Sequence, residues 1–184
     1  MVRCSVRLAA LRKVWVHSIV TALIMEEAAR VSRVSRDTAY TLGLLHNLGT
    51  LGMMSAFPTE YSRMLEVSTD FGFDLLQTER DLFEIDHCAA GAYLAQDWDF
   101  PDELAAGIAT HHEPPVADEL NLDNLIKVSW RLADTLGYAA FSPDKDWPYE
   151  ELIAFIPGAG SSWLGKSAEA AKAELDERLA SAPL

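Results

Sequence analysis

Five histidines, His17, His46, His87, His111 and His112, are the side chains of this 184-residue chain best suited to chemistry. Each falls inside or at the end of a predicted helix, beside apolar residues rather than in a polar loop. A single histidine on an apolar face is ordinarily a core residue with a satisfied partner. Five are harder to dismiss, because several buried imidazoles without a shared partner would each need separate acceptors, and an unpaired buried polar group costs free energy. Convergence on one metal ion or one polar network meets that need. Neutral imidazole is the commonest protein metal ligand, and helices of a bundle can aim histidines at a common interior point. The spacing is not of the local His-Glu-x-x-His type, so the ligands would come from different helices.

The segments that must position them read as helices. From about Val6 to Val34 there is no Pro or Gly. Leu8, Leu11, Trp15, Ile19 and Ala22 line one face and Val14, Ile24 and Ala28 another, as in a central helix buried on several sides. This helix carries His17. Ser35 can cap a second one, with Asp37 in its first turn, Ala39, Leu42 and His46 on one face, and a stop at Gly49. Leu51 to Phe57 is a short apolar helix ended by Pro58, and Tyr61, Met64 and Leu65 mark the next, up to Phe71-Gly72. Asp74 and Gln77 resemble a capping box opening a helix through Leu75, Leu76, Leu82 and Phe83. His87, Ala90, Gly91 and Leu94 form a helical stripe. Pro101, Asp102 and Glu103 suit a first turn, and the helix behind them carries Leu104, Ile108, His111 and His112 before Pro114-Pro115. Further helices are expected from Leu122 to Leu136, closing at Gly137, from Pro148 to Ile156, and from Ser167 to about Leu179. No segment alternates as a strand would, so the fold class is all-α. One domain over residues 1–184 is expected, with 141–148 and 157–165 as its least ordered joints.

Composition narrows the function. With 49% hydrophobic and 23% charged residues, the chain lies far from the disordered class. The two cysteines, Cys4 and Cys88, do not make a disulfide framework, and Cys88 in a helical pattern reads as a small buried apolar residue. A reducing cytoplasm is the expected compartment. The longest apolar stretch near the start, Ile19 to Met25, is too short to span a bilayer. Net charge is −13, unevenly spread: residues 1–36 carry +5 and the remainder −18. A strongly acidic body repels nucleic-acid phosphates and anionic membranes, so neither is an expected partner.

Several strings together resemble an HDOD domain, a branch of the HD superfamily. They are Trp15-Val16-His17-Ser18, Leu44-Leu45-His46-Asn47-Leu48-Gly49, Asp86-His87, Trp98-Asp99-Phe100-Pro101 and Ile108-Ala109-Thr110-His111-His112. The resemblance covers roughly residues 13–137. It implies an HD-type helical bundle, a role in bacterial signal transduction and signalling proteins as partners. The related HD-GYP phosphodiesterases hold metal ions with a matching set of positions. By that resemblance the metal-site residues here are His17, His46, Asn47, His87, His111, His112 and Asp134.

The departures matter as much. Asn47 stands where the family's His-Asp signature has its carboxylate, Thr50 where active relatives often carry lysine, and Pro114-Pro115-Val116 where a Gly-Tyr-Pro stretch would follow. The resemblance implies a helical subdomain before the histidine portion, whereas this sequence starts almost directly with the helix carrying His17, so a minimal form or a piece of a longer protein is expected. A neutral amide cannot bridge two cations as a carboxylate does, and Asp134 is the only anionic candidate among the seven. Two divalent ions would be under-compensated in a low-dielectric core. One divalent transition metal (iron, manganese or zinc) is feasible, and so is a metal-free hydrogen-bonded cluster. The leading expectation is a non-catalytic signalling module. The alternatives are a metal-dependent phosphohydrolase of nucleotides or cyclic dinucleotides, and a bundle whose histidines merely pack. Lys127 and Arg131 could serve the hydrolase as phosphate-binding cations, though an ordinary exposed basic pair is the simpler reading.

Overall fold

The computed structural model describes residues 2–71, 74–117, 119–141 and 147–181, and the side chains of these except 2–7, 66 and 68–71. The side chain of Cys4, the break at Gly72 and most of the joint at 141–148 lie outside the described residues. Among those described, every regular element is helical. In order they are α1 (Val2–Ala29), α2 (Arg36–Leu45), α3 (Leu48–Ala56), α4 (Glu60–Phe71), α5 (Leu75–Phe83), α6 (His87–Asp97), α7 (Asp102–Thr110), α8 (Leu122–Ala133), α9 (Tyr149–Ala154) and α10 (Ala168–Ser181). A single π-helical turn, Asp134–Tyr138, extends α8.

The caps are local sequence chemistry. Ser35 accepts the Thr38 N–H, Asp74 the Gln77 N–H, Asp86 the Ala89 N–H and Asn121 the Asn124 N–H, each satisfying a backbone donor that the first helical turn leaves open. The first helix stops at Ala29, short of the expected Val34. Ser32 causes this, for its hydroxyl donates to the Ala29 carbonyl and accepts the Val34 N–H, offering the backbone an alternative to another helical turn.

Helix α1 is the central rod. Over Leu8–Ala29 it is long and apolar enough to cross a membrane by length and composition alone, more than the stretch from Ile19 to Met25 suggests. Its buried residues Val20, Ile24, Met25 and Ala28 instead join one core with Leu42 of α2, Ile108 of α7 and Ile126 and Leu132 of α8. A second core, of Met53, Met54, Tyr61, Met64, Leu65 and Leu75, joins α3, α4 and α5.

Gly49 corrects a reading of the sequence. It does not end α2, which stops at Leu45, but lies in the first turn of α3. A β-carbon there would stand 1.8 Å from the His87 carbonyl oxygen and 2.5 Å from the Gly91 nitrogen. Glycine is therefore required for α3 to lie against the start of α6.

Candidate metal centre

His17 lies in the middle of α1, His46 caps the C-terminal end of α2, His87 opens α6, and His111 and His112 follow the last turn of α7. Their rings make a continuous row. Centroids are 5.3 Å apart for His17 and His46, 5.1 Å for His46 and His111, and 5.3 Å for His111 and His87. His112 closes the row, 4.6 Å from His111 and 4.9 Å from His87. Four of the five are buried, and His112 is half-buried.

Backbone and carboxylate acceptors decide which nitrogen carries the proton. The Nδ1–H of His46 donates to the Gly43 carbonyl at 2.7 Å, that of His111 to Ile108 at 2.8 Å, and that of His17 to Tyr138 at 3.1 Å. His87 donates its Nδ1–H to Glu79 Oε2 at 2.8 Å. In each neutral ring the lone pair is then on Nε2. Metal-binding histidines almost always present this arrangement, with the far nitrogen tied to a carbonyl or carboxylate.

The row has two unlike ends. At one, Asn47 donates its side-chain N–H to the His46 Nε2 lone pair at 2.9 Å, and Asp134 Oδ1 lies 3.3 Å from His17 Nδ1. Asp134 opens the π-helical turn. Gly137, in the left-handed region at φ 90°, lets that turn present the Tyr138 carbonyl to His17. At the other end, His87 and His111 face each other Nε2 to Nε2 at 3.4 Å, and Cys88 Sγ lies 3.8 Å from His87 Nε2 and from His111 Nδ1. One ligand atom from each of His87, Cys88, His111 and His112 lies within 4.8 Å of all the others.

Burial dominates the electrostatics. It pulls His17 down to about 4 against the opposing effect of the Tyr138 carbonyl. His46, His111 and His112 are held well below the usual imidazole value, by burial first and neighbouring rings second. His87 goes the other way: burial opposes its protonation, but Cys88 and Glu79 outweigh it and raise His87 well above the usual value.

The family model of the HDOD domain matches residues 2–114. The chain belongs to the HDOD family. An uncharacterised protein of Treponema pallidum (strain Nichols) is 32% identical over 81 residues, 44% of this chain and 16% of that relative. The MmoQ response regulator from Methylococcus capsulatus (strain Bath) is similar in structure, with a TM-score of 0.63, 25% identity, and coverage of 90% of this chain and 61% of that one. A protein from Shewanella amazonensis SB2B, provisionally assigned as a phosphohydrolase, is similar with a TM-score of 0.63, 25% identity and coverage of 90% and 62%. An HDOD domain protein of unknown function from Geobacter sulfurreducens shares the fold with a TM-score of 0.65 at 20% identity, covering 92% of this chain and 59% of that one. The HDOD chain thus spans about three fifths of the length of these three structures.

All seven residues expected at the HDOD metal site lie along the one histidine row, and three residues absent from that expectation join them. Glu79 is fully buried and accepts both the backbone N–H and the Nδ1–H of His87, while its other oxygen takes the Tyr61 hydroxyl proton. Burial and this carboxylate together push the Tyr61 phenol well above its usual value. Asp134 is therefore not the only anionic group at the centre. Cys88 is buried as expected, yet it touches two imidazoles. A carboxylate one turn after Leu75, on the apolar stripe of α5, was the available signal for Glu79.

Lys127 and Arg131 are not an exposed pair. Both are buried, with Lys127 held by Asp123 at 2.7 Å and Glu113 at 2.9 Å. Arg131 donates to the carbonyls of Lys127 at 2.7 Å, His112 at 2.8 Å and His111 at 3.4 Å, and its guanidinium lies 4.5 Å over the Trp130 ring. It positions the end of α7 rather than facing a substrate.

The donor set fits a metal ion. Without a metal, the proton that Glu79 and Cys88 favour on His87 lies between the two facing Nε2 atoms; a metal ion would take its place. Nitrogens each about 2.0–2.1 Å from one tetrahedral ion stand about 3.3–3.4 Å apart, and His87 and His111 have that separation. A bound ion would supply Lewis acidity and fix the rings. The chain itself orients them through Glu79, Ile108 and Gly43.

Proposed function

We propose that this HDOD domain is a non-catalytic signalling module of the bacterial cytoplasm that acts through contacts with other signalling proteins and holds at most one metal ion. The observation that carries the reading is the Asn47 amide on His46 Nε2. An amide N–H placed on that lone pair consumes a donor that an active HD centre would turn toward metal. It also supplies none of the negative charge that a pair of divalent ions needs. Thr50 is fully buried, so its position adds no hydrated cation for phosphate, and Arg131 and Lys127 are engaged by protein groups.

Contact surface supports the interaction role. Leu8 and Trp15 are exposed two turns apart on α1, and Tyr93 on α6 and Trp98 at its C-terminal cap are exposed too. Exposed aromatic anchors are typical of protein interfaces. The acidic body argues against nucleic acid and anionic membranes as partners.

The deciding assay incubates untagged protein with manganese and either bis(p-nitrophenyl) phosphate or a cyclic dinucleotide. No turnover above buffer is expected. Turnover lost in His111→Gln would overturn the reading in favour of a metal-dependent phosphohydrolase, which the likeness to the Shewanella protein favours.

A further inference from the structure

We infer that the His87 end of the row is a single-ion site in which the Cys88 thiolate joins His87, His111 and His112, selecting a thiophilic tetrahedral ion of the zinc class over manganese or magnesium. The inference rests on the single-ion reading above and adds where the ion sits and of what kind it is.

Four observations converge. First, the four side chains bring their ligand atoms within 4.8 Å of one another, and three of the four are buried. Second, His87 and His111 are already oriented, for Glu79 and the Ile108 carbonyl hold their Nδ1 protons and leave the two Nε2 atoms facing each other at 3.4 Å. Third, the opposite end is satisfied without a metal, because Asn47 occupies the His46 lone pair. Fourth, Cys88 Sγ stands 3.8 Å from His87 Nε2 and 3.8 Å from the His111 ring, so the sulfur already lies against both imidazoles.

Chemistry then sets the ion. Three imidazoles and a thiolate contain no oxygen ligand, so hard ions that prefer carboxylates and water are poorly served. A tetrahedral set with sulfur is the pattern of zinc. The thiolate and the Glu79 carboxylate on His87 together balance a divalent charge in a buried place. On binding, the S–H bond of Cys88 and the Nε2–H bond of His87 break, sulfur–metal and nitrogen–metal bonds form, and both protons leave for solvent. No oxidant or reductant takes part.

The test uses the full chain, untagged, reduced and stripped with chelator, titrated with Co²⁺ and then Zn²⁺. One equivalent of Co²⁺ is expected to give intense visible bands of a tetrahedral site and a near-ultraviolet thiolate-to-cobalt band. Zn²⁺ should abolish both, while a large excess of Mn²⁺ should not. Cys88→Ser should remove the near-ultraviolet band and weaken Zn²⁺ binding about tenfold or more, since even outer-shell changes cost 10–100-fold. Its far-ultraviolet circular dichroism should be unchanged. One equivalent of Co²⁺ with weak octahedral bands, no near-ultraviolet band and displacement by Mn²⁺ would overturn the thiolate site but leave the single-ion reading standing. No uptake of either ion would overturn the thiolate site and leave the reading of at most one ion standing, and two equivalents would overturn that reading.

Discussion

Glu79 grips His87 twice, taking its backbone N–H and its Nδ1–H on the same oxygen, each at 2.8 Å. The carboxylate is fully buried and shares its second oxygen with Tyr61, so it ties α4, α5 and the first turn of α6 together at one point. Glu79→Ala leaves two donors on His87 and one on Tyr61 without an acceptor. Losing one partner of a buried ionic hydrogen-bond pair costs about 3–5 kcal/mol, and a loss of that size is expected in urea unfolding at pH 7. Glu79→Gln keeps one acceptor oxygen and should lose about 1–3 kcal/mol. A change below about 0.5 kcal/mol in Glu79→Ala would show that the grip carries no stability.

Acid should weaken the fold. His17 is lowered to about 4, and His46, His111 and His112 also lie below the usual imidazole value. In the pH window below about 6.5 the unfolded chain takes up protons that the folded chain refuses, so stability falls as pH falls. For His17 alone the loss is about 2 kcal/mol between pH 7.5 and pH 5. His87, raised above its usual value, has the opposite sign: its contribution is present below pH 6.5 and is lost as pH rises through its folded value. One group against four leaves a net loss on acidification. Chemical denaturation of chelator-treated protein at pH 7.5 and pH 5 measures it, and equal or greater stability at pH 5 would contradict the burial argument.

Asn47→Asp puts a carboxylate oxygen where an amide N–H now meets the His46 lone pair. Without metal that buried carboxylate must take up a proton or draw one onto His46. The variant should therefore melt lower than the parent in chelator. With added Mn²⁺ the order should narrow or reverse, because a ligand bound only by the folded state raises the melting temperature. Identical melting curves with and without Mn²⁺ in the variant would show that the charge at this position is not what limits metal binding at the His46 end.

Gly49→Ala tests the contact between α3 and α6. The added carbon would fall within 3 Å of backbone atoms of His87 and Gly91, and backbone cannot swing aside as a flexible side chain does. Overpacking costs typically 1–3 kcal/mol and occasionally more. About 3 kcal/mol is expected here, read as a lowered urea midpoint. A neutral result would mean that the helices separate freely.

The helices and the histidine row were legible in the sequence for the same reason. Periodicity places His17 among the apolar residues of α1, and His46, His87 and His111 on core-facing stripes, so their convergence follows once the helices pack. Glu79 was signalled only by its place one turn after Leu75 on the apolar stripe of α5, and a glutamate in a short amphipathic helix ordinarily faces water. Its burial depends on the positions of Tyr61 and the first turn of α6, which no local pattern records. Cys88 reads as a small apolar residue until its two imidazole neighbours are known. Gly49 reads as a helix stop because the sequence shows its freedom from a side chain but not the backbone pressed against it.

The π-helical turn bears on how the polypeptide can be divided. The HDOD family match ends at residue 114, yet Tyr138 in that turn accepts the proton of His17, and Trp130 and Arg131 hold the carbonyl of His111. A fragment cut where the family pattern ends would keep every histidine and lose the acceptor of one and the clamp on another. The smallest piece that can be expressed, transplanted or shuffled with its imidazoles correctly aimed therefore extends at least through Tyr138.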